Sequence, residues 1–167
     1  GSEVTGTEGA LGCFDTDIRT DDQTLSLQHG AVILATGSEE ANTEEYCYGQ
    51  SGQILRQVEF EKRFAAGEID AGKLENVVMI QCVGSREKGA REYCSRICCA
   101  AALKNAIRIL EKNPEARIYI LNRDMMTYGF LERYYTRARG EGVMFFNYDL
   151  NQKPEVEVVG ADALQAA

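Results

Sequence analysis

Residues 76–84 read NVVMIQCVG, and this stretch decides the fold that the sequence predicts. Its β-branched and apolar residues form a strand pattern that ends at a glycine. A polar loop follows over 85–92, and a helix pattern then runs over 93–112. The helix must end at Asn113-Pro114, because proline cannot continue it. Strand, loop and long helix in this order are typical of half a β-α-β unit.

The same pattern continues toward the C-terminus. A strand is predicted over 116–121, a helix over 130–139 and a strand over 143–147. Short connections between these segments favour a β-α-β-α-β unit, since parallel strands need helical crossovers. The sequence therefore predicts an α/β fold, a Rossmann-like parallel sheet with flanking helices.

The first sixty residues predict β structure and one short helix. Alternating apolar residues on either side of a turn at 20–23 indicate a β-hairpin. Residues 31–37, AVILATG, form a continuous apolar run, which is typical of a strand buried on both faces. Residues 58–64 predict a short helix that ends at Gly67.

The composition excludes several classes of function. Lys and Arg number 18 against 26 Asp and Glu, a net charge of −8 without any basic tract, which argues against nucleic-acid binding. No apolar run approaches the roughly 20 residues that a transmembrane helix needs. The single histidine, His29, leaves few ligands for a histidine-based metal site.

Four cysteines, Cys82, Cys94, Cys98 and Cys99, lie in the pattern C-x11-C-x3-C-C. Such crowding favours metal or redox chemistry in a reducing compartment, and we expect the cytoplasm. The first follows the predicted strand, at the sheet edge where open α/β folds bind ligands. The other three fall in the predicted start of the helix. We therefore expect four thiolates to meet at the positive end of that helix.

Several groups could occupy such a site. A [4Fe–4S] cluster is favoured, because it takes one thiolate at each of four corners, whereas structural zinc sites use pairs of closely spaced cysteine knuckles. Zinc, a thiol-redox pair and buried structural cysteines remain alternatives. Residues 82–99 carry a net charge of +2, and basic side chains beside an anionic cluster would tune its potential. The candidate tuning residues are Arg86, Lys88, Arg91 and Arg96.

The nucleotide signals are incomplete. The turn after residue 80 lacks the glycines of a G-x-G-x-x-G dinucleotide site, so NAD binding is disfavoured. Ala35-Thr36-Gly37 resembles the tripeptide that flavoproteins place near the flavin, and we expect these residues on the flavin side.

Longer motifs carry a family resemblance. Residues 81–86 (QCVGSR), 93–99 (YCSRICC) and 123–135 resemble the A subunit of heterodisulfide reductase and its homologues, over roughly 27–150. That family contains iron–sulfur flavoproteins with a thioredoxin-reductase-like core. The resemblance implies that Cys82, Cys94, Cys98 and Cys99 ligate a [4Fe–4S] cluster near FAD. It also implies electron transfer to the other subunits of a complex.

The resemblance predicts a domain division and a portion of a larger protein. We expect a remnant of an FAD-binding domain over 1–56, including the hairpin, a connecting helix over 57–75, a nucleotide-binding-like domain over 76–160 and a frayed tail over 161–167. Gly1-Ser2 is typical of a tag-cleavage scar. From the resemblance we expect the FAD-binding part to lie upstream. We also expect this portion of the protein to be inactive on its own and able to self-associate.

Two other functions stay open. One is a zinc-bound or metal-free module that docks other subunits. The other is a fragment of a pyridine-nucleotide:disulfide oxidoreductase that uses Cys98 and Cys99 as a redox pair.

Overall fold

The computed structural model describes residues 1–89, 91–159 and 163–166. The strands are β1 (Ser2–Ala10), β2 (Cys13–Thr20), β3 (Thr24–His29), β4 (Asn76–Ile80), β5 (Arg117–Asn122), β6 (Met144–Asn147), β7 (Val156–Val159) and β8 (Ala163–Ala166). The helices are α1 (Gln57–Ala65), α2 (Cys98–Lys112) and α3 (Glu132–Gly140), with 3₁₀ turns at Ala71–Lys73 and Gly129–Leu131. The chain forms two compact units, Gly1–Glu39 and Glu40–Ala167.

The first unit is an antiparallel sheet in the order β1-β2-β3. β2 and β3 form the predicted hairpin, and the N–H of Thr20 donates to the carbonyl oxygen of Gln23 across its turn, at 2.8 Å. Ile18 of β2 lies opposite Val4 and Leu25, so these three apolar side chains form a row across one face of the sheet. The N-terminal hairpin is confirmed, and β1 adds a third strand.

The predicted buried strand over 31–37 is wrong. These residues belong to no strand, and the side chains of Ile33 and Leu34 are 88% and 86% exposed. An apolar run becomes a strand only where another strand takes up its backbone N–H and C=O groups. Among the described residues, none pairs with this segment.

The second unit contains the parallel sheet, in the order β4-β5-β6. Val77 lies opposite Ile118 in the first strand pair, and Ile120 lies opposite Phe145 in the second. Parallel neighbours need crossover connections, and α2 and α3 supply them and pack against each other. The predicted α/β fold, a parallel sheet with flanking helices, is therefore confirmed.

The core of this unit lies between α2 and the sheet. α2 presents one apolar face because its small and aliphatic residues recur at helical spacing, and β5 contributes alternate residues from its inner side. The fully or nearly fully buried apolar side chains of this core include Ala102, Leu103, Ala106, Ile109, Ile118, Ile120 and Ala138. This packing fixes α2 over the sheet and so determines where its first turn lies.

Helix α1 begins with a network around Glu59. Its carboxylate accepts hydrogen bonds from the Tyr48 hydroxyl at 2.6 Å, from the Arg56 N–H at 2.9 Å and from Arg56 Nη2 at 3.0 Å. These bonds, led by the one from Tyr48, lower the pKa of Glu59 from 4.5 to about 2. The ionised carboxylate therefore stabilises the folded state.

We expect Glu59→Gln to lower stability at pH 7 by at most about 1 kcal/mol, because a third of the Glu59 side chain is exposed and solvent weakens the pair. The depressed pKa means that the wild-type advantage is complete above pH 4.5 and is lost as the pH falls toward about 2. Urea unfolding at several pH values measures the difference in the free energy of unfolding between wild type and Glu59→Gln. Glu68→Gln, at an exposed ion pair with Arg63, is the control. A difference that grows on acidification would contradict this assignment.

Helix α2 is secured differently at its two ends. At its carboxyl end, Asn113 Nδ2 donates to the carbonyl oxygens of Ala71 and Leu74, at 3.1 Å each. At its amino end, Ile97 is the capping position, and no side chain caps the helix there. The end without a side-chain cap is therefore the one that carries the cysteines.

The C-terminal residues add a two-stranded antiparallel sheet, β7-β8. Of the predicted frayed tail, positions 161, 162 and 167 lie outside the described residues, and Ala163–Ala166 form β8. The predicted division at 56, 75 and 160 into functional parts stays a prediction. None of the helices among the described residues has the length and apolar character that a membrane span requires.

Candidate metal and redox centre

The centre begins where β4 ends. The Gln81 N–H continues the sheet by donating to the carbonyl oxygen of Leu121 at 2.8 Å, and Tyr148 donates its hydroxyl proton to the Gln81 carbonyl oxygen. The next residue, Cys82, is buried and has a φ of 64°. A positive φ is costly for a side chain with a Cβ. The neighbouring contacts thus hold this cysteine in a left-handed turn at the sheet edge.

Cys98 and Cys99 occupy the first turn of α2, but Cys94 does not. The prediction that the helix begins at Tyr93 is wrong, because it begins at Cys98. Arg96 has a φ of 61°, a conformation that an α-helix cannot contain, and its N–H donates to Cys94 Sγ at 3.3 Å. Cys94 therefore lies in the loop before the helix and does not share a helix face with Cys98.

Three of the cysteines form one hydrogen-bonded group. The Cys98 sulfur lies within hydrogen-bonding reach of the Cys99 thiol, the Ser95 hydroxyl and the backbone N–H groups of Cys99 and Cys82. The adjacent Cys99 thiol is the main cause that lowers the pKa of Cys98, and Cys98 in turn raises the pKa of Cys99. Of these two adjacent thiols, Cys98 is therefore the one that ionises more readily.

The loop after β5 forms the opposite wall. The Cys99 side chain is 1% exposed, its thiol donates to the carbonyl oxygen of Asp124 at 3.7 Å, and the Met126 N–H donates to its sulfur at 3.5 Å. Arg123 Nη1 donates to the carbonyl oxygens of Ser85 and Arg86, at 3.0 and 3.2 Å. The two loops that follow β4 and β5 are thereby tied together around the sulfurs.

The fourth cysteine joins this centre through Arg86. The hydrogen bond with Asp124 raises the pKa of the Arg86 guanidinium, and negative charge on Cys82 and on Cys94 would raise it further. All six cysteines of the chain are free thiols. Within the described residues, no three Cys, His, Asp or Glu side chains are arranged to hold a single metal ion.

The chain is similar to curated proteins from methanogenic archaea. It is 31% identical to the A subunit of Ferredoxin:CoB-CoM heterodisulfide reductase of Methanosarcina acetivorans, over 86% of this chain and 23% of the relative. It is 38% identical to the iron-sulfur A subunit of CoB–CoM heterodisulfide reductase of Methanocaldococcus jannaschii, over 72% of this chain and 21% of the relative. The chain belongs to the family of heterodisulfide reductase A subunits. A third relative, the A subunit of H(2)/formate:CoB-CoM heterodisulfide,ferredoxin reductase of Methanococcus maripaludis, is also 38% identical, over 74% of this chain.

The similarity covers only part of the relatives. This chain spans about a fifth of the length of the heterodisulfide reductase A subunits that it matches. No protein-family model matches it.

In this homologue of the heterodisulfide reductase A subunits, the four candidate tuning residues lie in different environments. Arg86 is half-buried and forms an ion pair with Asp124 at 2.6 Å. Arg91 is also half-buried, and its Nη2 would lie 2.8 Å from a Cβ added at Gly84, so a side chain there would displace the guanidinium. Lys88 and Arg96 are exposed. Charges screened by water act weakly, so we expect Arg86 and Arg91 to influence the centre more than Lys88 and Arg96 do, and the tuning role of all four stays a prediction.

The remaining predicted site residues lie in the first unit. Ala35, Thr36 and Gly37 are exposed and belong to no strand, so their flavin role, which the family resemblance suggests, stays a prediction. Cys13 is exposed in the same unit, whereas Cys47, in the second unit, donates to the carbonyl oxygen of Val156 at 3.1 Å.

Sequence reasoning missed the polar residues that contact the loop between β4 and α2 (residues 81–97), which we call the cysteine loop. Asp124 binds Arg86, and Tyr148 binds the Gln81 carbonyl oxygen. Lys153 Nζ binds Glu87 of the loop at 2.9 Å and Glu45 at 3.2 Å. A signal existed for Asp124, because charged residues directly after β5 must lie at the same sheet edge as Cys82. Nothing in the sequence marks the other contacts.

Proposed function

We propose that the cysteine centre between β4 and α2 holds a [4Fe–4S] cluster and that this part of the protein transfers electrons within an oxidoreductase of heterodisulfide reductase type. Cys82, Cys94, Cys98 and Cys99 would be the ligands. A bound cluster supplies one-electron oxidation and reduction. The observation that carries the proposal is the position of the cysteines at one β-α junction. Cys82 follows the end of β4, and Cys98 and Cys99 begin α2. Cys94 lies in the loop between them.

The donor set suits this group. Thiolates are soft ligands that favour iron–sulfur clusters and zinc. The amide N–H groups that reach Cys98 Sγ favour a negative charge at this position. The relative from Methanocaldococcus jannaschii carries the words iron-sulfur in its name, which agrees with the same chemistry.

The protein's own residues orient and shield the centre. Burial of Cys82 and Cys99 removes water from one side, and a less hydrated environment strengthens electrostatic interactions with the sulfurs. The loop after β5 holds Cys99 through two hydrogen bonds. Electrons would pass between this centre, FAD held by the FAD-binding part and other subunits of the complex, as we infer from the family.

Anaerobic reconstitution with iron and sulfide tests the proposal. We expect about four iron and four acid-labile sulfide per chain, with a brown colour, as a [4Fe–4S] cluster requires. Cys47→Ser should reconstitute equally, because this cysteine lies outside the centre. A colourless protein that binds zinc and no sulfide would favour the docking-module alternative, and a protein that binds neither would overturn the proposal.

A further inference from the structure

Arg86 combines three features that no other residue of the cysteine loop shares among those the structure describes. Its φ is 60°, a left-handed conformation that is costly for arginine. Its carbonyl oxygen accepts from Arg123 Nη1, so the backbone is held in that conformation from the loop after β5. Its side chain is 28% exposed although arginine is usually a surface residue. The local strain thus serves to turn this side chain inward.

The guanidinium is fixed on one side and free on the other. Nη2 donates to Asp124 Oδ2 at 2.6 Å. Nη1 is buried and has no hydrogen-bond partner, one of three such side-chain atoms among the described residues, with Arg56 Nε and Asn122 Oδ1. A buried charged donor without an acceptor costs more than an ordinary hydrogen bond contributes. Nη1 of Arg86 is such a donor, and it lies at the cysteine centre. The fold therefore indicates that a group bound at this centre supplies the missing acceptor.

The surroundings show which acceptor suits it. The hydrogen bond to Asp124 raises the pKa of the Arg86 guanidinium, and negative charge on Cys82 and Cys94 raises it further. Both cysteines are thus close enough to Arg86 to act on its charge. Apart from the paired Asp124, the groups whose negative charge acts on this guanidinium are the sulfurs of Cys82 and Cys94.

We propose that Arg86 donates a hydrogen bond from Nη1 to a sulfur atom of the group bound at the cysteine centre, with Asp124 holding the guanidinium in place. This inference rests on the proposed function and deepens it, because it assigns control of the reduction potential to one residue among four nearby cations. A hydrogen bond to sulfur stabilises the reduced state more than the oxidised state, since reduction adds negative charge.

Arg96 provides a matched control for Arg86. Both are arginines of the same loop with φ near +60°, but Arg96 is exposed. Asparagine tolerates the left-handed conformation, so Arg86→Asn and Arg96→Asn each remove a guanidinium without adding backbone strain. Comparing these two variants distinguishes the effect of a hydrogen bond from Arg86 from the effect of positive charge elsewhere in the loop.

The experiment is a redox titration of the reconstituted protein, monitored by its visible absorption. We expect Arg86→Asn to reduce the equilibrium constant for reduction about tenfold, a 59 mV lower midpoint for a one-electron couple. Arg96→Asn should change that constant less than twofold. Arg86→Lys keeps the positive charge but loses the planar guanidinium group. It should therefore shift the midpoint in the same direction as Arg86→Asn, but by less.

The outcomes separate the two proposals. Wild-type protein that binds no iron and sulfide overturns the proposed function and this inference together. A loaded Arg86→Asn protein with an unchanged midpoint, or equal shifts in the two asparagine variants, overturns the role of Arg86 alone. If Arg86→Asn fails to fold or to load, Arg86→Lys decides in the same way, since a wild-type midpoint would overturn the inference.

Discussion

Cys99→Ser is expected to weaken binding of the proposed iron–sulfur group by more than about 100-fold, because changes to residues that only support a metal ligand already cost 10–100-fold. Cys99 is 1% exposed and lies between α2 and the loop after β5, so no other side chain can replace its sulfur. Anaerobic iron and sulfide analysis after gel filtration measures the loss.

Cys13→Ser is the matched control, since this thiol is exposed and belongs to the first unit. Serine is close to cysteine in size, so circular dichroism of the unloaded Cys99→Ser protein should match wild type. A variant that retains stoichiometric iron and sulfide would remove Cys99 from the ligand set.

Leu103→Ala should lower the free energy of unfolding by about 3 kcal/mol, within the range for large-to-small changes in a core. Leu103 is fully buried on the face of α2 that packs against the sheet, where surrounding helices and strands cannot collapse around the cavity. For a unit of this size the change lowers Tm by about 10 °C. Leu150→Ala makes the same substitution at a side chain that is 41% exposed, and should cost less than about 1 kcal/mol.

Equal losses in the two leucine variants would show that α2 does not form the core of this unit. Urea unfolding measures both, and also shows whether the slope with urea stays constant, as it must if only stability changes.

The sheet and its two helices could be predicted because their signals are strong and local. β4, β5 and β6 are short apolar runs, and α2 carries small and aliphatic residues at helical spacing up to Asn113-Pro114. The position of Cys82 at the sheet edge followed from the same pattern. Tertiary contacts reinforce these local preferences, so pattern and structure agree.

The errors arise where tertiary contacts override local preference. The sequence over 93–97 is compatible with a helix, but contacts of the loop hold Arg96 at a positive φ, and α2 begins later. The run over 31–37 has the composition of a strand but lacks a neighbour among the residues that the structure describes. β1 was missed because SEVTGTEGA has one large apolar residue, and its strand conformation depends on pairing with β2.

The unequal anchoring of α2 has a consequence for assembly. Asn113 holds the carboxyl end of this helix to the preceding 3₁₀ turn, whereas no side chain caps the end that carries Cys98 and Cys99. Local opening requires little free energy where anchoring contacts are few. At the cysteine end the anchoring contacts are made through Cys99, whose thiol donates to the carbonyl oxygen of Asp124 and whose sulfur accepts from the Met126 N–H. Hydrogen exchange at the first turn should therefore respond to a change at the Cys99 sulfur, such as binding of the proposed iron–sulfur group, while exchange at the Asn113 end should stay unchanged.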